Sequence, residues 1–247
     1  MNKFTADYHQ AIFPGFAMTK TYQQVVDTFW FSKDIPIIET DFDIDATETH
    51  KWLVEHDHLF EKRYTQVNRL NFAKQHGYDW FTDAHSHDWD TLDVLGPDYA
   101  IGQMITNGEV QEQIYHNNSY PEAVPDLKIQ LDKIGLPVEK IYIQRLSPGG
   151  WVQPHMDKKL PRAPAMNHVW LPLNSSAPSL KIYPTGYVHH QPGRVYLVNN
   201  TYYVHSAINT ELEPRYVAIM KIDYQQLPRE SWNRIQQSVQ QQWFETS

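Results

Sequence analysis

VEKIYIQRLSPGGWVQPHMD, residues 138–157, is the stretch on which the fold turns. Val138, Ile141, Tyr142 and Ile143 sit in a nine-residue run of β-branched and aromatic character, the composition of a half-buried strand. SPGG at 147–150 then supplies turn chemistry before the chain resumes an extended pattern toward His155 and Asp157. The same alternation of short β runs and turn signals continues downstream. Runs at 168–173, 180–183, 195–199 and 216–222 are separated by PRAP at 161–164 and QPGR at 191–194. Several short strands punctuated in this way predict a mainly β chain, an antiparallel sandwich or barrel.

Outward from that block the pattern is helical. Residues 125–134 place Leu127, Ile129, Leu131 and Ile134 at helical spacing, with Gly135 as the stop. The tail at 228–244 carries Trp232, Ile235, Val239 and Trp243 on one stripe. That tail has two uses, packing on the sheet or on a second copy, so a homodimer stays open. Before Pro121 the texture differs. Helices are expected at 20–30 and at 46–54, where Asp45 with Glu48 suits a helix start, and 78–97 reads as irregular loop. The organisation is therefore residues 1–120 as a helical and loop region shaping substrate access, and 121–247 as the β core with its C-terminal helix. Together they are expected to make one compact domain.

The chain has 247 residues, 41% hydrophobic and 20% charged, enough to bury a core without staples. Its net charge of −8, with no basic block to offset it, excludes generic nucleic-acid and anionic-membrane partners. Cysteine is absent, which removes disulfide scaffolds, thiolate zinc sites, iron–sulfur clusters and thiol nucleophiles. Any metal must be held by His and carboxylate. MNKFTADYHQ at the start lacks an apolar run, and no stretch approaches a membrane span, so the expected location is the cytoplasm.

His155 and Asp157 are two residues apart, so an extended chain presents both on one face. His205, in VNNTYYVHSAIN, follows fifty residues on, at the end of a β run. Two His and one carboxylate on one side of a metal leave three positions open, the arrangement a non-haem Fe(II) ion needs to take a co-substrate and dioxygen together. Arg215, ten residues further, opens RYVAIMKID. A fixed guanidinium near the metal suits the distal carboxylate of a dicarboxylate co-substrate.

These pieces together resemble the catalytic domain of the aspartyl/asparaginyl β-hydroxylase family of Fe(II)/2-oxoglutarate dioxygenases. The resemblance is carried by RLSPGGWVQPH (145–155), LKIY (180–183), QPGRVYLVNNTYYVHSA (191–207) and PRYVAIMKID (214–223). It implies a double-stranded β-helix, a cupin-like jelly-roll with the metal at one mouth. It also implies that His155 and His205 bind iron and that Arg215 binds the distal carboxylate of 2-oxoglutarate. His168 matches a family His that assists the co-substrate. The enzyme that names the family has glycine where this chain has Asp157. With the aspartate, the chain follows the commoner triad of the wider superfamily, as in free-proline hydroxylases. The family's co-substrate Arg falls near Met166 and is not matched, with Arg162 as a stand-in. The activity implied is hydroxylation of an unactivated C–H on an amino acid or peptidyl residue, with O2 consumed and succinate and CO2 released. The substrate is thus a small molecule or a peptide. The alternative is a cupin-like metal-binding isomerase, lyase or small-molecule sensor working without 2-oxoglutarate. A third reading is an inactive interaction module.

Rival histidines are given bland readings. His56 and His58, and His85 and His87, are expected in surface or loop roles, although His85, Asp88 and Trp89 also suit a lid over the barrel mouth. His189 and His190 precede a turn and are expected to face solvent. Asn199, Asn200 and Asn209 are assigned equally to turn hydrogen bonding and to orienting His205. Trp151 and Trp170 are expected in the core, Arg145 in a buried ion pair and Arg194 as an exposed turn residue.

Overall fold

The computed structural model describes residues 35–60, 86–95, 99–106, 109–116, 125–155, 168–183, 185–200, 203–222 and 226–244. The expected helix at 20–30 lies outside them. Eleven strands appear among the described residues: β1 (Ile37–Asp43), β2 (Ser86–Leu95), β3 (Tyr99–Thr106), β4 (Glu109–His116), β5 (Val138–His155), β6 (His168–Pro172), β7 (Leu180–Ile182), β8 (Gly186–Tyr187), β9 (Arg194–Val198), β10 (His205–Ile208) and β11 (Arg215–Ile222). The helices are α1 (Thr47–Glu55), α2 (Pro125–Lys133) and α3 (Arg229–Val239), the last running into a π turn at Gln240–Phe244.

The strand order β1-β9-β6-β11-β5-β10-β7-β8 explains the architecture. β5 is a single long strand that serves two layers. Its first half pairs with β11 and its last residues pair with β10. From there one layer runs β5-β11-β6-β9-β1 and the other β5-β10-β7-β8, every pairing antiparallel. From β5 onward the chain alternates between the layers except at the β7–β8 hairpin, which is the winding of a double-stranded β-helix, and the mainly β jelly-roll is the fold.

The transfer between layers happens at SPGG. Gly149 has φ 75, a conformation that side chains other than glycine's rarely adopt. Its N–H donates to the Asn209 carbonyl at 3.0 Å, and the Asn209 N–H returns to Gly150 at 2.9 Å. The Asn209 amide also donates to the carbonyls of Leu146 and Glu213 at 3.0 and 2.8 Å. The turn signal therefore marks a corner inside one strand.

Alternation along each strand sorts the side chains into two layers. Tyr216, Ala218, Met220 and Ile222 of β11, with Val169 and Leu171 of β6 and Val195 and Leu197 of β9, face the helices in the larger core cluster. Leu127 and Leu131 of α2 and Trp232, Ile235 and Val239 of α3 pack there too. Val217, Trp170, Tyr196 and Val198 point the other way, toward Leu180 and Ile182 of β7. That second cluster fills the space between the layers.

Three expectations are corrected. Residues 86–95 are not loop. β2 pairs along β5 from Ser86↔Val152 to Leu95↔Ile141, because Leu92 and Val94 are buried in the larger cluster and Asp90 pairs with Arg145. Trp89 packs against Leu146, Val152 and Ala207 as part of this strand. Arg194 is not an exposed turn residue. It opens β9 and reaches β1, with an ion pair to Asp43 at 3.0 Å and a donation to the Thr40 carbonyl at 3.1 Å. His190, expected in solvent, is buried, whereas His189 is exposed. Arg145 does form an ion pair, but a partly buried one: Asp90 is buried, whereas Asp57, its other partner, is half exposed.

Candidate active site

The site follows from where β5 ends and β10 begins. His155 is the last residue of β5 and His205 the first of β10, and their Cα atoms are direct partners in the antiparallel register. Three residue steps from Val152 to His155 oppose two from Ala207 to His205, so β5 carries a bulge next to the pair. Pro154 lies within it, in a place where a missing N–H is tolerated. Fifty residues of sequence separation are thus reduced to one step across a strand pair.

His205 is half-buried, and its Nδ1 lies 3.3 Å from the Tyr203 carbonyl. A carbonyl only accepts, so in this bond Nδ1 carries the proton and Nε2 the lone pair, the tautomer a metal requires. His205 also stands opposite Ile182 of β7, which belongs to the inter-layer cluster. The side chain of His155 and the whole of Asp157 lie outside what the structure describes, as do Arg162 and Met166. Among the described residues no three His, Asp or Glu gather as a metal set.

Arg215 is the most informative residue. It opens β11 directly after the turn at 210–214, and it shares the inward face with Val217. Its side chain is only 1% exposed. Nε and both terminal nitrogens are buried without a hydrogen-bond partner among the described residues. The guanidinium carbon lies 5.1 Å from the centre of the Trp170 ring, a cation–π contact. Burial pulls its pKa down to about 9, with Glu211 partly opposing, so the group is still cationic at neutral pH. A buried cation with five donors and no hydrogen-bond partner among the described residues is costly to keep. Such donors suit a carboxylate, which neutralises the charge and fills the fork in one step.

Sequence reasoning missed His190. It is 3% exposed, its Nδ1 lies 3.3 Å from the Val188 carbonyl, and its Nε2 is buried without a well-formed hydrogen bond among the described residues, the Ser175 backbone lying near the ring. The ring meets the Trp170 ring edge-on at 4.9 Å. Burial, with a contribution from Arg215, lowers its pKa to about 4, so it is neutral at pH 7. Its turn-like neighbours concealed it, and only the Trp170 contact reveals it.

His168 opens β6 opposite Lys221, two residues before Trp170; its side chain is not described. Asn199 and Asn209 make strand-end and corner hydrogen bonds: the Asn199 amide donates to the Ile35 carbonyl beside β1 at 3.1 Å, and the Asn209 amide donates to Leu146 at the β5 corner. Of the rival histidines, His56 stacks on Trp52 at 3.9 Å and His58 is exposed. His85 lies outside the described residues, and His87 is known only by its register with Trp151. No helix among the described residues is long and apolar enough to cross a membrane.

No protein-family model matches the chain, and no curated protein matches it. Solved structures do. A prolyl hydroxylase from Trichoplax adhaerens, in complex with a peptide fragment of the hypoxia inducible factor oxygen degradation domain, is 13% identical, with 85% of this chain and 96% of that one covered and a TM-score of 0.47. A prolyl-4-hydroxylase from Pseudomonas putida is 12% identical over 82% of this chain and 98% of its own, at a TM-score of 0.40. A cupin domain from Bordetella pertussis is 21% identical over 34% of this chain and 80% of its own, at 0.26. With identities and scores this low, the fold assignment stands on the strand order.

Proposed function

We propose that the chain is an Fe(II)- and 2-oxoglutarate-dependent dioxygenase that hydroxylates an unactivated C–H of an amino acid or peptidyl residue. Arg215 carries the reading: a fully buried guanidinium on the inward face of a jelly-roll, with three nitrogens lacking partners among the described residues. The second support is the register that sets His155 opposite His205. An isomerase or sensor working without a dicarboxylate gives that guanidinium no counter-ion.

In this reading His155, Asp157 and His205 hold the iron, and Arg215 takes the distal carboxylate of the co-substrate, with His168 assisting. The iron with 2-oxoglutarate and O2 supplies the oxidation: one oxygen atom goes to the substrate carbon, and the other leaves in succinate as CO2 is released. The protein's own work is placement and exclusion of water. The Tyr203 carbonyl fixes the tautomer of His205. Trp170 and Val217 surround Arg215 with apolar side chains, which would strengthen a charge pair formed there.

The test is an anaerobic titration of Fe(II) and then 2-oxoglutarate, followed by visible absorption. Wild type is expected to develop a weak charge-transfer band that Arg215→Ala and His155→Ala lose. Metal binding without a 2-oxoglutarate response would return the protein to the cupin-like alternative. Absence of metal binding would overturn the reading.

A further inference from the structure

We propose that His190 is the second arm of the carboxylate receptor: with Arg215 it holds the distal carboxylate of 2-oxoglutarate, taking one proton from solvent onto Nε2 as the ligand enters. The inference rests on the dioxygenase reading and adds a residue and a proton to it.

Trp170 organises the corner. Arg215 from β11 lies over its ring at 5.1 Å, and His190, from the segment between β8 and β9, stands edge-on to it at 4.9 Å with an interplanar angle of 81°. Two separate segments therefore deliver two nitrogen-bearing groups to the indole carried by a third. Both groups are at least nine-tenths buried, and both leave nitrogens without hydrogen-bond partners among the described residues. Val217, the next inward residue on β11, offers no donor. A carboxylate has two oxygens and about four acceptor sites, more than one guanidinium edge uses.

The tautomer fixes the chemistry. Nδ1 faces the Val188 carbonyl and so holds the one proton of a neutral ring. Nε2 then presents a lone pair, which repels an incoming carboxylate oxygen. Protonation of Nε2 removes the conflict, because the imidazolium donates to Val188 through Nδ1 and to the ligand through Nε2. Without ligand the proton is disfavoured by burial and by the Arg215 charge. Backbone groups of Val188 and Ser175 and the carboxylate of Glu211 favour it more weakly. An anion on Arg215 reverses the balance. The sign follows: the free protein lacks this proton above about pH 4 and the complex holds it. Affinity therefore tightens as pH falls, by up to roughly tenfold per pH unit, between the His190 pKa in the complex and about pH 4.

The experiment is calorimetric titration of 2-oxoglutarate into the Mn(II)-loaded protein, without O2, in two pH 7 buffers of different ionisation enthalpy. Thermal melts verify folding of each variant. Wild type is expected to take up a proton on binding. His190→Phe is expected to bind roughly ten- to a hundredfold more weakly and with no uptake attributable to this site. His190→Gln, which keeps an N–H, is expected to recover part of the affinity without the proton. Equal affinity and equal proton count in wild type and His190→Phe would overturn the role of His190 while leaving the dioxygenase reading intact. Failure of wild type to bind 2-oxoglutarate would overturn both.

Discussion

At the scale of single residues, Arg215 carries a cost in stability. Its guanidinium is buried with no hydrogen-bond partner among the described residues, a burden that the proposed carboxylate would relieve. Arg215→Met keeps the length and apolar stem and removes the charge. In the absence of ligand this variant is expected to be more stable than wild type by about 1–3 kcal/mol in chemical denaturation. It should also lose the response to co-substrate. For wild type with metal, 2-oxoglutarate at a hundred times its Kd should add about 2.7 kcal/mol. A variant less stable than wild type without ligand would show that the guanidinium is satisfied within the fold.

Among the elements, the turn between β8 and β9 is set by Gly193. It has φ 84, and a Cβ built there would lie 2.2 Å from the Ile44 carbonyl oxygen. Its own carbonyl accepts from the Ile44 N–H at 2.8 Å, and its N–H donates to Pro172 at 2.8 Å. The contact joins β1, β6 and β9 at one point, so neither backbone can retreat cheaply. Gly193→Ala is expected to cost about 2–4 kcal/mol in urea denaturation. Gly149 is the control, because φ is 75 but nothing lies within 4 Å of its would-be Cβ. Gly149→Ala should therefore cost only about 1 kcal/mol, the backbone penalty alone. Equal losses at the two sites would show that the close approach to Ile44 relaxes freely.

For the whole molecule, the question is whether the helices and the sheet unfold as one. Ile235 of α3 is fully buried in the same cluster as Val195, Leu197 and Met220 of the sheet. Further along, Arg234 bonds the Asp41 carboxylate at 2.9 and 3.1 Å and lies 4.0 Å from the Phe42 ring centre. Gln242 accepts from the Glu39 N–H at 2.9 Å, covering the open edge of β1. Ile235→Ala is expected to cost about 2–4 kcal/mol and to keep a single transition by circular dichroism and tryptophan fluorescence. A separate early melt of helical signal would show α3 to be an independent unit.

The β character of the core was legible from the residues alone, since strand composition and turn residues are local properties. The runs at 138–146, 168–173, 180–183, 195–199 and 216–222 lie on β5, β6, β7, β9 and β11, and the helical stripes at 125–134 and 228–244 lie on α2 and α3. The ion pair of Arg145 was also legible, because a charge within an apolar strand needs a partner. The tertiary structure decided the rest. β2 read as loop because its Asp, His and Trp residues mask Leu92 and Val94, whose burial depends on the distant β5. SPGG read as a turn between strands, whereas pairing to β10 and β11 makes it a corner within one. Only the register could place His155 opposite His205, since strand pairing is set by contacts remote in sequence. His190 looked like a solvent histidine until Trp170, twenty residues earlier in the chain and also in contact with Arg215, covered it. Local chemistry is written residue by residue; burial, and with it the absence of a hydrogen-bond partner for Arg215 among the described residues, exists only once the two layers close.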